Sequence, residues 1–169
     1  MSYKIRIAKK EDASELLKIY APYVEHTAVS FECDVPSIED FEARIENPLK
    51  RYPYLVAELD GEIVGYTYAG AFKPRAAYDW SVETSIYVRE DHKGSGIGKE
   101  LYEALFEILA KQNIVNVNAA VAYVQEEDEY LTHASYLFHE HVGFTPVANF
   151  KNAQTNSDVG TTLSGLKNP

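Results

Sequence analysis

The chain has 169 residues, 46% hydrophobic and 25% charged, which excludes a disordered chain or a collagen-like fibre and fits one domain that buries roughly 70% of its unfolded surface. Sixteen Lys and Arg against 26 Asp and Glu give a formal net charge of −10, a field that repels phosphate backbones and anionic membranes, so neither nucleic acid nor membrane is an expected partner. One cysteine (Cys33), no apolar signal core after Met1 and no apolar run near the roughly 18 residues of a membrane span point to a soluble cytoplasmic protein.

Residues 3–8 alternate apolar and polar as a half-buried strand does, and Asp12 stands where a cap would precede a helix carrying Ala13, Leu16, Leu17 and Tyr20. Pro22 is expected to end or kink that helix. Ser37 with Asp40 resembles a capping box for a second helix through Phe41 and Ile45, and Pro48 and Pro53 bracket a loop. Residues 54–59 and 62–72 read as a hairpin around Asp60-Gly61, since Asp-Gly supplies the positive φ angles of a type I′ turn. Residues 80–88 alternate again, which puts Glu83 and Tyr87 on one strand face.

A polar loop follows, then Leu101, Leu105, Ile108 and Leu109 mark an amphipathic helix that ends near Asn113. Residues 115–123 read as a strand, the acidic run 126–129 as a solvated loop, and residues 134–141 as a short helix closed by Gly143. Strands at 145–150 and 160–166 complete the pass. Five histidines beside one cysteine, with no tight ligand spacing, suggest no metal site.

The segment Lys93-Gly94-Ser95-Gly96-Ile97-Gly98-Lys99 lies between strand and helix, where glycines can curl the backbone and aim amide hydrogens at a phosphate. Taken alone it could equally be a turn that starts a helix. A Walker loop needs glycine at Lys93 and Ser or Thr at Glu100, and the spacing G-x-G-x-G does not match the dinucleotide fingerprint. What remains is K-x-x-G-x-G after a strand carrying an acidic residue. This resembles the acetyl-CoA loop, [QR]-x-x-G-x-[GA], of the GCN5-related N-acetyltransferases (GNAT). Lys93 departs from the usual Gln or Arg but keeps a donor and a positive charge.

The likeness runs from Ile5 to about Phe150 and is narrowest to the phosphinothricin and methionine sulfoximine acetyltransferases. It rests on residues 19–24 with Thr27, Ser30, Phe31 and Glu32, on residues 80–88, and on residues 138–144. The resemblance implies an α/β (α+β) fold, a mostly antiparallel, splayed sheet flanked by helices. It also implies acetyl-CoA as co-substrate, no metal, a small-molecule amine as acceptor and a homodimer. Ile86, Tyr87 and Val88 would offer backbone groups to the pantetheine arm, and Lys93, Gly94, Ser95, Gly96, Ile97, Gly98 and Lys99 would hold the pyrophosphate. Thr132 and Ser135 stand where the family places Asn-x-x-Ser.

An ammonium has no lone pair, so an amine attacks a thioester only after some group has accepted that extra proton. Glu83, in a weakly polar strand, stands where the family has its acidic catalytic residue; from pattern alone it could instead face solvent or pair with a lysine. His139 is a second catalytic candidate or a satisfied helix histidine, and Tyr136 a candidate acid for the departing thiolate. Arg75 is a candidate partner for an acceptor's carboxylate or a solvated loop residue. Phe31 and Tyr78 resemble walls of an amino-acid pocket, though either could be core.

The activity so implied is acetyl transfer to the α-amine of a small amino acid or analogue. Other small amines, or a non-catalytic acyl-CoA-binding module, are the alternatives. After Phe150 the chain lacks the tryptophan-containing segment of these relatives, which leaves the acceptor open.

Overall fold

The computed structural model describes residues 3–30, 32–150 and 160–167. Strand β1 (Lys4–Ile7) leads through a short 3-10 turn into helix α1 (Ala13–His26). Asp12 does not cap α1 with its side chain; its carboxylate instead takes the two terminal guanidinium nitrogens of Arg6, at 2.8 and 2.9 Å, and the Lys9 N–H at 2.7 Å. The bidentate charge pair outcompetes a neutral cap. Helix α1 also continues past Pro22 for one more turn. That turn is pinned from outside, because Tyr23 donates its hydroxyl to the Val88 carbonyl at 2.6 Å and Thr27 donates to the Tyr23 carbonyl at 2.6 Å.

Ser37 caps α2 (Ile38–Leu49) by accepting the Asp40 N–H at 3.1 Å, as the sequence suggested. Pro48 lies inside the last turn of α2 rather than in the loop, and its carbonyl takes the N–H groups of Arg51 and Tyr52. Asp60 (φ 52°) and Gly61 (φ 89°) turn β2 (Tyr54–Leu59) into β3 (Glu62–Ala71) in the expected hairpin.

Then follow β4 (Ser81–Val88), α3 (Ile97–Lys111), β5 (Asn116–Tyr123), α4 (Ala134–His141), β6 (Thr145–Phe150) and β7 (Gly160–Lys167). The seven strands form one sheet in the order β1-β2-β3-β4-β5-β7-β6, antiparallel except between β4 and β5. Helix α3 buries Leu101, Tyr102, Leu105 and Leu109 against Val64, Ala69, Val82 and Val117. On the opposite face, α1 and α2 bury Leu16, Ile19, Phe41 and Ile45 against Val56, Ile63 and Tyr66. No helix among the described residues is long and apolar enough to cross a membrane.

Candidate active site

Strands β4 and β5 pair only from Ser81 opposite Asn116 to Thr84 opposite Ala119. Beyond that point β4 stays on β3 through Val88, while β5 stays on β7 through Tyr123. The sheet therefore forks in its middle. Val64 accepts the Arg89 N–H and Ser81 accepts the Phe72 N–H, which turns the odd-numbered residues of β4 toward β3. By strand alternation, Ile86 and Val88 turn their backbone groups to the open edge, where the Val88 carbonyl already accepts the Tyr23 hydroxyl, whereas those of Tyr87 face β3. Of the three residues expected to offer backbone groups there, Tyr87 turns its own toward β3 instead.

Glu83 sits one residue before the fork, paired with Gly70 on one side and Asn118 on the other. The residue is exposed, yet partial loss of hydration raises its carboxyl above its ordinary pKa, and the Lys73 charge draws it part of the way back. A carboxylate so raised is a better proton acceptor.

Past Val88 the chain makes a 3-10 turn (Glu90–His92) and enters α3 through the glycine loop. Gly94 (φ 76°) and Gly96 (φ 91°) hold left-handed backbone, and Gly96 is the residue at which α3 starts. Among the described residues, no acceptor meets the N–H groups of Gly94, Gly96, Ile97 or Gly98, so the loop presents amides at a positive helix end, beside the open edge of β4. These features suit a pyrophosphate and pantetheine. Lys93 lies over the Tyr23 ring, 4.8 Å from its centroid, and exposed Lys99 reaches Glu103 at 3.7 Å. Ser95 donates its hydroxyl to the His92 carbonyl at 2.6 Å. A Cβ on Gly98 would stand 3.0 Å from the Phe138 ring, which couples α3 to α4.

His139 is 5% exposed. Its Nδ1 lies 2.7 Å from the Ser135 carbonyl, to which it donates, leaving Nε2 to accept the Tyr102 hydroxyl at 2.9 Å. Burial pushes the imidazole below its ordinary value, so the ring is neutral with both nitrogens engaged. Tyr136 donates to Glu140 at 2.9 Å, an acceptor that raises its pKa, and its ring packs on Tyr123 at 5.1 Å.

Thr132 is exposed, with its hydroxyl on the Ala134 N–H at 3.4 Å, and Ser135 is half-buried at the start of α4. Exposed Arg75 precedes the 3-10 turn Ala76–Tyr78 and makes no ion pair among the described residues. Tyr78 is exposed and packs edge-on to Phe72. Phe31 lies outside the described residues.

Sequence reading missed a cluster on the Glu83 face of β4. Tyr20, Tyr54, Tyr66, Tyr68 and Tyr87 wall a cavity of about 320 Å³ between the sheet and helices α1 and α2, with Arg44 on its rim. Arg44 forks onto Glu32 at 2.8 and 2.5 Å, and Tyr20 donates to the same carboxylate at 2.5 Å. The only signal was the period-two spacing of Tyr66 and Tyr68, which any buried strand face would show. Among the described residues no group of three or more His, Cys, Asp or Glu could hold a metal.

The sequence pattern of the acetyltransferase (GNAT) domain family matches residues 5–158. A phosphinothricin N-acetyltransferase of Streptomyces viridochromogenes is 32% identical over 84% of this chain and 74% of its own. A methionine sulfoximine and methionine sulfone acetyltransferase of Salmonella typhimurium is 30% identical over 85% and 81%. Among solved structures, a phosphinothricin acetyltransferase of Sinorhizobium meliloti in complex with acetyl-CoA superposes with a TM-score of 0.88 at 26% identity, covering 99% of this chain and 89% of that one. An acetyltransferase of Salmonella typhimurium solved with acetyl-CoA gives 0.87 at 26% identity, covering 99% and 94%.

Proposed function

Because the chain belongs to the GNAT acetyltransferase family, whose members take an acetyl group from acetyl-CoA, we propose that it acetylates the α-amine of a small amino acid or amino-acid analogue, with Glu83 as general base. The observation that carries this reading is the position of Glu83, one residue before β4 leaves β5 and beside an open strand edge. Bound acetyl-CoA supplies a thioester carbonyl. The free amides of the glycine loop hold its pyrophosphate, and the Ile86 and Val88 backbone groups hold its pantetheine arm as an added strand would. Fixed by the ladder to β3, these amides need no reorganisation to stabilise negative charge that develops on the carbonyl oxygen.

Glu83 takes the amine proton, through a water where the two do not touch. The neutral amine then forms the C–N bond, the C–S bond breaks, and the departing thiolate, with a pKa of about 8.5, takes the nitrogen's second proton and leaves as the thiol. His139 acts from the core as a positioning residue, holding α4 on α3 through Tyr102. Exposed Arg75 pairs with the acceptor's carboxylate. The amino-acid class is the one that the names of the relatives print, including methionine sulfoximine and phosphinothricin.

Thiol release from acetyl-CoA against α-amino acids, their sulfoximine, sulfone and phosphinate analogues, polyamines and short peptides tests the reading. Turnover confined to free α-amino acids is expected. Turnover only with polyamines would overturn the acceptor class, and acetyl-CoA binding without turnover on any amine would overturn the activity.

A further inference from the structure

The row of residues that crosses the sheet at Glu83 runs Gly70, Glu83, Asn118, Gly165, on β3, β4, β5 and β7, each paired with the next. Paired residues share a face of the sheet. This row lies on the face opposite α3, because Val82, Val117 and Ala119, the chain neighbours of Glu83 and Asn118, point into the α3 core. A Cβ at Gly70 would meet nothing within 4 Å, so the surface beside Glu83 is open. Two side chains, on strands about 4.8 Å apart, stand between two glycines.

Asn118 is 6% exposed, and both protons of its side-chain nitrogen are taken. Nδ2 donates to the Val82 carbonyl at 3.2 Å and to the side-chain oxygen of Asn116. A carbonyl can only accept, so the nitrogen must be the atom that faces Val82, and the amide has one orientation. On the other side of Glu83 the Asn118 carbonyl accepts the Thr84 hydroxyl at 3.2 Å. Asn118 is thus stitched to the residues before and after Glu83. Its Oδ1 meets no donor among the described residues, yet it is not sealed in, because the one sealed side-chain polar atom without a partner there is the Tyr3 hydroxyl. A fixed amide therefore offers a hydrogen-bond acceptor on the Glu83 face.

We propose that Asn118 is a further catalytic residue, whose Oδ1 accepts the one N–H that stays on the substrate nitrogen throughout the reaction and so aims the lone pair at the thioester. This rests on the amino-acid acetyltransferase reading above. A primary ammonium carries three protons. The first goes to Glu83, directly or through a water, the second leaves with the sulfur of coenzyme A, and the third remains as the N–H of the product amide. That third N–H needs an acceptor that will not take the proton, which a carboxamide oxygen is and a carboxylate is not. Held between Glu83 and Asn118, the nitrogen is oriented before the C–N bond forms. A secondary amine has only the two protons that are transferred. It sets an alkyl group against Asn118 where the N–H belongs and leaves Oδ1 unpaired, and a site built to pair an N–H rejects the analogue that lacks it.

The test compares kcat/KM for the best amino-acid acceptor and for its N-methyl derivative, in the wild type and in Asn118→Ala. Thermal unfolding and acetyl-CoA affinity serve as controls for folding. The wild type should favour the primary amine by about 100-fold or more. Asn118→Ala should lose about 10- to 100-fold on the primary amine through kcat and far less on the N-methyl derivative, so that the ratio narrows. Acetyl-CoA affinity should stay within about twofold, and the acidic limb of the pH profile that Glu83 supplies should remain. A wild type that acetylates both amines equally well would overturn the assignment without any variant. A folded variant that keeps the wild-type ratio would overturn it while leaving the activity intact. No turnover on any amino acid would instead overturn the reading on which the assignment rests.

Discussion

The two faces of the central sheet each carry a dense aromatic cluster, and they treat polar atoms in opposite ways. Toward α3 and α4, Tyr102, Phe106, Phe138, His139 and Phe144 interlock at centroid distances of 5.1–6.0 Å, and the Tyr102 hydroxyl and both His139 nitrogens are paired within the cluster or to the chain beside it. Toward α1 and α2, Tyr54 and Tyr66 are buried just as deeply, but they line a cavity. Polar groups buried and satisfied hold a fold together, whereas those that line a cavity stay in reach of whatever fills it. Both clusters flank β4, so the strand that carries Glu83 is braced on one side and accessible on the other.

If that division is right, the largest catalytic loss follows a change on the open side. Glu83→Gln should lower kcat by about 10²- to 10⁴-fold, with acetyl-CoA affinity unchanged by calorimetry; an equal loss of affinity would make Glu83 a binding residue. The variant should be as stable as the wild type or more so at neutral pH. Glu83's folded pKa is raised, so its ionised form is disfavoured in the fold above the unfolded pKa, and the amide removes that penalty.

On the braced side the ordering is reversed. His139→Ala should cost about 2–4 kcal/mol in urea unfolding, because it opens a cavity and strips partners from the Tyr102 hydroxyl and the Ser135 carbonyl. Turnover of the fraction still folded should fall far less than in Glu83→Gln, and a collapse of kcat in folded protein would move His139 into the chemistry. The wild type should also lose stability as pH falls below about 6.5, where the unfolded imidazole binds a proton that the buried neutral ring refuses. His139→Gln should flatten that slope.

The smallest expected effect is at the loop. Lys93→Ala should weaken acetyl-CoA binding by about 2- to 10-fold, and the difference should shrink at high salt, since the side chain is exposed and its contribution screened. A salt-independent loss would mean that its packing on Tyr23, and not its charge, matters.

What was legible in the sequence was local. Asp60-Gly61 dictates its hairpin, Ser37 its cap, and the glycines at 94 and 96 their left-handed turn, because each depends on backbone preferences within a few residues. What was not legible depended on distant partners. Asp12 looked like a cap and became the partner of Arg6, and Pro22 failed to end α1 because Tyr23 is tied to β4. His139 read as catalyst or core, and the hydroxyl that meets its second nitrogen comes from Tyr102, 37 residues away. The tyrosine cavity is drawn from α1, β2, β3 and β4 in a chain with 13 tyrosines, where no spacing distinguishes a wall from a core. Glu83 could be named from its motif, but its place at the fork needed the register of β4 against β5.

The central claim is that Glu83 accepts the proton at the fork, and the pH dependence of kcat/KM for the best amino-acid acceptor, in the wild type and in Glu83→Gln, tests it most directly. The wild type should lose activity as pH falls through an apparent pKa above the usual carboxylate range, and that acidic limb should be absent from the residual activity of Glu83→Gln. A limb that persists unchanged in the variant would contradict the assignment and place the base elsewhere.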